Sequence, residues 1–303
     1  MPRPIGSLIA SFLLSLVLLG ATAATSSLAQ QRPAVIPSPL AQLTRLAEDT
    51  YAWQYGGYTT MFIVTSEGVI LADPIGQPDP REPELLKAVI KSVTDQPVVY
   101  LVNTHGNSDH AFGGDTFADT ATLVGTPRAA EKLAALNSPR HPVPTMLVTD
   151  HQQIQLGGAI VHLYNAGVGY ADDHLIVYYP ARGIMHAADF IPVREMAFRD
   201  LQSVVNVDAW VNQIAWVEGF DFDVFIPGHG ELGDKTSVTA FRNFVLDLGS
   251  AIRSARARGL GDNTDEMVAA ARAELAPRYG TWENFESSLP LNIAGIIRVW
   301  ASQ

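Results

Sequence analysis

From Thr50 onward the chain alternates short apolar runs with polar turns. In TYAWQY and TTMFIVTSEGVILADPIG, Met61 and Ile63 and then Val69 to Ala72 form two runs parted by Glu67-Gly68. Apolar runs of this length, bounded by turn residues, predict strands joined as a hairpin. The second run ends at Asp73-Pro74. The period then changes. Over residues 82–93, Leu85, Leu86, Val89 and Ile90 share one helical face, and Pro83 suits a first turn. PVVYLVN, residues 97–103, predicts a buried strand, and TATLVGT predicts another. PRAAEKLAAL predicts a helix begun by Pro127, whereas the Pro-rich residues 137–145 predict irregular chain.

A second block follows the same plan. QIQLGGAIVHLYNAG and DHLIVYYPARGIMHAAD predict two hairpins. DAWVNQIAWVEG predicts a helix with Trp210, Ile214 and Val217 on one side, and FDVFIPGHGEL a strand running into a polar loop. Phe241, Phe244, Val245, Leu248 and Ile252 then repeat at helical spacing. A further helix is expected from about Thr264 to Leu275, stopping before Pro277. Each block therefore has strands first and helices after.

The first residues follow a different pattern. Arg3 precedes an apolar stretch from Leu8 to Leu19, and the small-residue pattern Ser27-Leu28-Ala29 comes next, with Ala21-Thr22-Ala23 as the alternative. This predicts a secretory signal peptide over 1–29, and hence a periplasmic or secreted protein; an uncleaved anchor is the competing reading. Pro33, Pro37 and Pro39 predict a linker over 30–44, leaving 45–303 as the folded domain without stable membrane insertion after cleavage.

Composition narrows the partners. The 303 residues carry a formal net charge of -11 and no run of Lys or Arg, which argues against nucleic acid and anionic membrane surfaces and for a small-molecule substrate. Hydrophobic residues make up 47%, enough for a large core. There is no cysteine, so an exported chain has neither a disulfide nor a thiolate ligand. Any metal must be held by His, Asp, Glu or weaker donors, which favours zinc, iron or manganese.

Chemistry-bearing residues gather at predicted strand ends. In VYLVNTHGNSDHAFGGD, His105 and His110 flank GNSD, with Asp109 beside His110. Asp73 ends VILAD, Asp189 follows IMHAA, and His229 sits in PGHG. Strand ends in a layered fold can converge on one edge. His174 and His186 lie close to these segments and read as surface or supporting imidazoles; His141, His151 and His162 read as ordinary surface or packing residues. Trp53, Tyr55 and Tyr58 suit either a substrate mouth or a core.

The order of these motifs resembles the metallo-β-lactamase fold superfamily, whose His-x-His-x-Asp-His motif is matched by His105-Gly106-Asn107-Ser108-Asp109-His110. Asp73 matches the superfamily's Asp at the end of the second hairpin strand, Asp189 and His229 match its later positions, and the resemblance covers about residues 45–230. It implies an α/β fold, an αββα sandwich of two mixed sheets face to face with helices outside. It also implies that Asp73 braces the ligand loop by hydrogen bonds. Two positions depart from the pattern: Asn107 and Tyr170 stand where the superfamily has histidines. By the resemblance, a first metal site would fall to His105, Asn107 and Tyr170, and a second to Asp109, His110 and His229, with Asp189 nearby. Neutral amide and protonated phenol are poor ligands, so one divalent metal, zinc foremost, is expected in the second set.

The function so implied is an exported metal-dependent hydrolase acting through a metal-activated water on a carbonyl or phosphoryl centre. Asp109 and Asp189 would orient that water or move its proton, and His105 would serve as a base or hydrogen-bond donor. The alternative is a non-catalytic binding protein on a hydrolase scaffold that has lost one metal site.

Overall fold

The computed structural model describes residues 41–77 and 79–303. Among these, twelve strands form two sheets. The first holds β1 (Ala41–Arg45), β2 (Thr50–Tyr55), β3 (Tyr58–Thr65), β4 (Gly68–Ala72), β5 (Val98–Val102), β6 (Thr122–Gly125) and β7 (Met146–Leu147), side by side in chain order. β1 to β4 form an antiparallel meander, and β4 to β7 run parallel. Parallel neighbours need crossovers. They are α1 (Glu82–Val93), a short α2 (Ser108–Ala111) and α3 (Pro127–Leu136).

The second sheet has the order β12-β11-β10-β9-β8. β8 (His151–Leu156), β9 (Ala159–Asn165), β10 (Leu175–Tyr179) and β11 (Ile184–His186) are antiparallel in turn. β12 (Val224–Ile226) joins β11 in parallel after α4 (Val207–Glu218). The chain closes with α5 (Lys235–Ala257), α6 (Asp265–Tyr279) and α7 (Phe285–Ala301).

Three apolar layers hold these elements. Ile63, Ile70, Val102 and Val124 of the first sheet meet Val161, Leu163, Val177 and Ile226 of the second. On the outer side of the first sheet, Leu86, Val89 and Ile90 of α1 cover Phe62, Leu71 and Leu101. On the outer side of the second, Trp210 and Ile214 of α4 and Phe241 and Phe244 of α5 cover Ile176, Met185 and Phe225. Every residue of β4 is buried because successive side chains enter different layers, Ile70 inward and Leu71 outward. A strand covered on both faces reads as the unbroken apolar run seen in the sequence. Each such side chain stabilises the fold by roughly 1.5–3 kcal/mol. The architecture is the αββα sandwich.

Two boundaries differ from the sequence reading. β1 begins at Ala41, inside the expected linker, and pairs with β2 so that Leu43 faces Trp53. An edge strand is held by backbone hydrogen bonds, which leave little trace in a five-residue pattern. α6 runs through Pro277 to Tyr279. A proline in the last turn forfeits few hydrogen bonds, and the Tyr279 hydroxyl anchors that turn to Asp247. The expected signal peptide, and residues 30–40 of the expected linker, lie outside the described residues. No helix among the described residues is long and apolar enough to cross a membrane.

The strand ends that matter share one edge. Asp73 leaves β4 and donates its backbone N–H to Val102 at the end of β5. Gly228, after β12, donates to Ala188, after β11. Thr59 N–H donates to Gly228 O and Gly230 N–H to Gly57 O, which stitches the loop after β12 to the β2–β3 turn of the other sheet.

Candidate metal centre

His105 follows β5, and Asp109 and His110 lie on α2, the single turn of helix just beyond it. Asp189 lies in a short 3-10 turn after β11, and His229 follows β12. Asp109, His110, Asp189 and His229 each present a ligand atom within 4.8 Å of the others. His110 Nε2 lies 3.2 Å from His229 Nε2 and 2.9 Å from Asp189 Oδ1. His229 Nε2 is 3.3 Å from Asp189 Oδ1 and 3.5 Å from Asp109 Oδ2. His105 Nε2 faces the other Asp189 oxygen, Oδ2, at 3.2 Å.

Asp73 organises this cluster from beneath. Its Oδ1 accepts the Thr104 backbone N–H at 2.8 Å, and its Oδ2 accepts the Thr104 hydroxyl. His110 Nδ1–H donates to the same Oδ2 at 3.1 Å. His186 Nε2 lies 3.9 Å away, while His186 Nδ1–H donates to the Ile226 carbonyl at 2.9 Å. Asp73 holds a left-handed backbone, φ 49°, which costs a non-glycine residue free energy that the surrounding bonds must offset.

These bonds settle the tautomers. With Nδ1–H committed to Asp73, His110 turns Nε2 toward Asp189 and His229, where it carries a proton or, in its place, a metal ion. The Thr104 hydroxyl proton goes to Asp73, so its oxygen accepts from His105 Nδ1–H at 3.0 Å and leaves the His105 Nε2 lone pair facing Asp189. Ring nitrogens and carboxylate oxygens therefore converge on one another. Such a set is stable only with a cation or protons between its members.

Charge follows the same logic. Burial disfavours a charged His110, yet Asp189 and Asp73 outweigh it and raise its pKa well above the ordinary value. Burial is likewise overcome at Asp189, which His110, His105 and His229 hold well below the usual carboxylate range. His229 is raised by Asp189 and Asp109 against the effect of burial. Burial would raise Asp109, but His229 and His110 lower it.

The donor set fits a divalent ion. Bonds of about 2.0–2.2 Å to nitrogen and oxygen place neighbouring ligand atoms roughly 3–3.5 Å apart, close to the separations observed. Asp189 Oδ1 and His105 Nε2 are buried without a hydrogen-bond partner. Gly228 makes the closeness feasible, because a Cβ there would lie 2.3 Å from Asp189 Oδ1 and 2.8 Å from His110 Cε1.

Of the first set of the sequence reading, His105 is buried beside Asp189 while Asn107 and Tyr170 stand at the cleft. Asn107 is exposed and Tyr170 buried, and both line a cleft of about 560 Å³ with Asp109, Asp189 and His229. Burial, then Asp189 and Asp109, push the Tyr170 phenol well above its usual pKa, which favours the neutral phenol over the phenolate. His174 and His186 are both buried, which removes the surface reading for each. His186 stands beneath Asp73, and His174 stacks on His105 with ring centres 4.3 Å apart. Of the three N-terminal aromatics, Trp53 is core, Tyr55 is half-buried and Tyr58 packs 4.5 Å from the His229 ring. Sequence reasoning missed Thr104, although it directly precedes the motif, and missed the loop that brings Phe198 and Arg199 to the cleft. That loop has no periodicity to reveal it.

Comparison with known proteins agrees with this geometry. The metallo-beta-lactamase superfamily profile matches residues 55–231. The Bacillus cereus protein named metallo-beta-lactamase type 2 is 25% identical over 179 residues, a match spanning 56% of this chain and 66%, just under two thirds, of that relative. A solved metallo-beta-lactamase from Pontibacter korlensis superposes with a TM-score of 0.58 at 22% identity, covering 68% of this chain and 99% of the other. The stereoselective inverting sec-alkylsulfatase from Pseudomonas sp. gives 0.65 at 14% identity, covering 85% and 50%. These structures share the fold. With more than half its length matched by the profile and the motif histidines and aspartates gathered at one edge, the chain belongs to the metallo-beta-lactamase superfamily.

Proposed function

We propose that the protein is an exported metal-dependent hydrolase that holds one divalent ion, zinc foremost, with Asp109, His110, Asp189 and His229. One observation carries this reading: two imidazole nitrogens and two carboxylates, drawn from both sheets, meet at 2.9–3.5 Å at one largely buried edge. When bound, a divalent ion supplies Lewis acidity and brings water's pKa toward neutrality. The chain's own groups do the rest. Asp73 keeps the proton of His110 on Nδ1. Asp109 and Asp189 stand at the cleft floor, where they orient water and take its proton. His105 offers a further nitrogen for proton transfer beside Asp189. Tyr58 and Phe198 pack against the His229 ring, at 4.5 and 4.8 Å between centres. The neutral Tyr170 phenol can donate its O–H to an oxygen that gains charge during hydrolysis.

The substrate is a small molecule with a carbonyl or phosphoryl centre. β-Lactams join lactones, thioesters and esters in the panel to be screened, with a sec-alkyl sulfate as the member that lacks such a centre, because two relatives carry those names. Export rests on the apolar Leu8–Leu19 stretch and the Ser27-Leu28-Ala29 pattern. The test is metal analysis of the purified mature protein, followed by hydrolysis with and without chelator. About one equivalent of metal and chelator-sensitive turnover are expected. A protein that purifies without metal and takes up no zinc on titration would overturn the reading. The second reading, a binding protein, is favoured by the neutral groups at Asn107 and Tyr170. It predicts ligand binding indifferent to chelator and no turnover of any panel member.

A further inference from the structure

Of the histidines in the chain, His105, His110, His141, His174 and His186 are buried, and His229 belongs to the cleft. The remaining two, His151 and His162, lie together at another place. Ile154 of β8 and Val161 and Leu163 of β9 turn into the layer between the sheets. Alternation therefore puts His151 and Gln153 of β8, and His162 and Tyr164 of β9, on the opposite face. β8 is the edge strand of its sheet, His151 is exposed and His162 is half-buried.

Strand register brings the two imidazoles to one spot. His151 pairs with Tyr164 and Gln153 with His162, so the histidines meet on the diagonal. His151 Nε2 lies 3.0 Å from His162 Nδ1. The Tyr164 hydroxyl is 3.3 Å from the same Nδ1, and its ring stacks on His151 with centres 4.5 Å apart. Trp216 and Phe220 pack against the Tyr164 ring in turn, at 5.6 and 5.2 Å. Gln153 Nε2 stands 3.4 Å from the other nitrogen of His162.

Two imidazole nitrogens at this distance need a proton or a cation between them. An ion bonded to imidazole at about 2.0–2.1 Å holds ligands at right angles roughly 2.9 Å apart, and tetrahedral ligands roughly 3.3 Å apart. The observed 3.0 Å suits the right-angled arrangement that divalent copper and nickel adopt. The formal charge of -11 favours the approach of a cation.

We infer that His151 and His162 form a second, surface metal site, for divalent copper or nickel, with the Tyr164 hydroxyl beside it. The site does not depend on the hydrolase reading. The ion takes the place of the proton between the rings. His162 then carries its N–H on Nε2, where Gln153 accepts it through Oε1 after a half-turn of its amide. The ring centres, 5.2 Å apart, set the two nitrogens nearly head to head. Both rings swing about their side-chain bonds to aim their lone pairs at the ion, a motion open to side chains at an exposed edge.

The test uses untagged mature protein, loaded with zinc so that the cleft histidines are engaged and then desalted. It is titrated with nickel sulfate by calorimetry and passed over immobilised nickel-nitrilotriacetate, whose ion keeps two adjacent positions open. The wild type should take up one nickel beyond its zinc and stay on the column until imidazole is added. H151A and H162A should each weaken nickel uptake by roughly a hundredfold and lose retention, because one imidazole alone cannot chelate. The double variant should fall little further than either single variant. Circular dichroism checks the fold, and H162Q replaces H162A if that variant is unstable. A wild type that takes up no nickel beyond its zinc would overturn the proposal. So would nickel uptake and retention that H151A and H162A leave unchanged, since the ion would then be held elsewhere.

Discussion

Asp73 Oδ2 lies 3.1 Å from His110 Nδ1, although 37 positions separate the two residues and both side chains are fully buried. The contact makes His110 a ligand with a fixed direction. Asp73→Asn keeps the shape of the side chain but removes the charge and presents Thr104 or His110 with the wrong partner. Groups in this position typically tune metal affinity by about 10–100-fold. Competition against a chromophoric chelator should show a loss of that size with the circular dichroism spectrum retained. Unchanged affinity would mean that His110 is oriented by something else.

His229 and Asn107 make opposite predictions from the same cleft. His229→Ala removes a nitrogen that lies 3.2 Å from His110 Nε2, and metal content should fall to near zero. Asn107 is exposed and its side chain caps nothing, so Asn107→Ala should leave the stoichiometry as it is. Metal stripped by Asn107→Ala would show that the wrong set had been chosen. Asn107→His with Tyr170→His should raise the equivalents bound, read by titration calorimetry, since His105 Nε2 already faces Asp189.

Gly228→Ala tests the crowding directly. The new methyl would meet Asp189 Oδ1 at 2.3 Å, well inside any real contact, so either the loop or Asp189 must move. Overpacking of this kind costs about 1–3 kcal/mol. We expect a lower melting temperature in the metal-free protein and weaker zinc uptake. A variant that binds zinc like the wild type would show the site to be far looser than its distances imply.

Glu82 couples stability to pH away from the metal. Burial pushes its carboxyl up to about 8 from an ordinary 4.5, against the opposing effect of the Trp53 indole N–H, which donates to Oε1 at 2.6 Å. Because the folded pKa is raised, the group's stabilisation is complete below about pH 4.5 and is lost as pH rises through about 8. The loss is at most roughly 5 kcal/mol, and the helix N-terminus at which Glu82 sits reduces it. Glu82→Gln should therefore gain on the wild type steadily between pH 5 and 8, read as the difference in denaturant midpoints. A constant difference across that range would show that Glu82 is ionised in the fold.

The alternating and helical patterns made most elements legible. α1 falls on 82–93 as its apolar spacing predicts, and the hairpins of the second sheet lie where their turns predict. The motif residues were legible too, because strand ends rich in His and Asp have few structural uses. What escaped were groups with no periodic mark. β1 is an edge strand held by its backbone. His174 and His186 are imidazoles whose burial depends on the other sheet. The loop around Arg199 takes its shape from α7, whose Asn292 donates to the Ala197 and Arg199 carbonyls.

Sequence by itself determined which residues could meet at a metal and in what order the strands would carry them, since side-chain period and turn chemistry act over a few neighbouring positions. Only the tertiary structure decided that His110 and His229, from different sheets, approach to 3.2 Å. It alone also decided that Asp73 and Thr104 choose the tautomers and that a C-terminal helix shapes the cleft. Those outcomes depend on distances between segments far apart in the chain, which are set when the layers pack and the remaining buried polar groups must find partners.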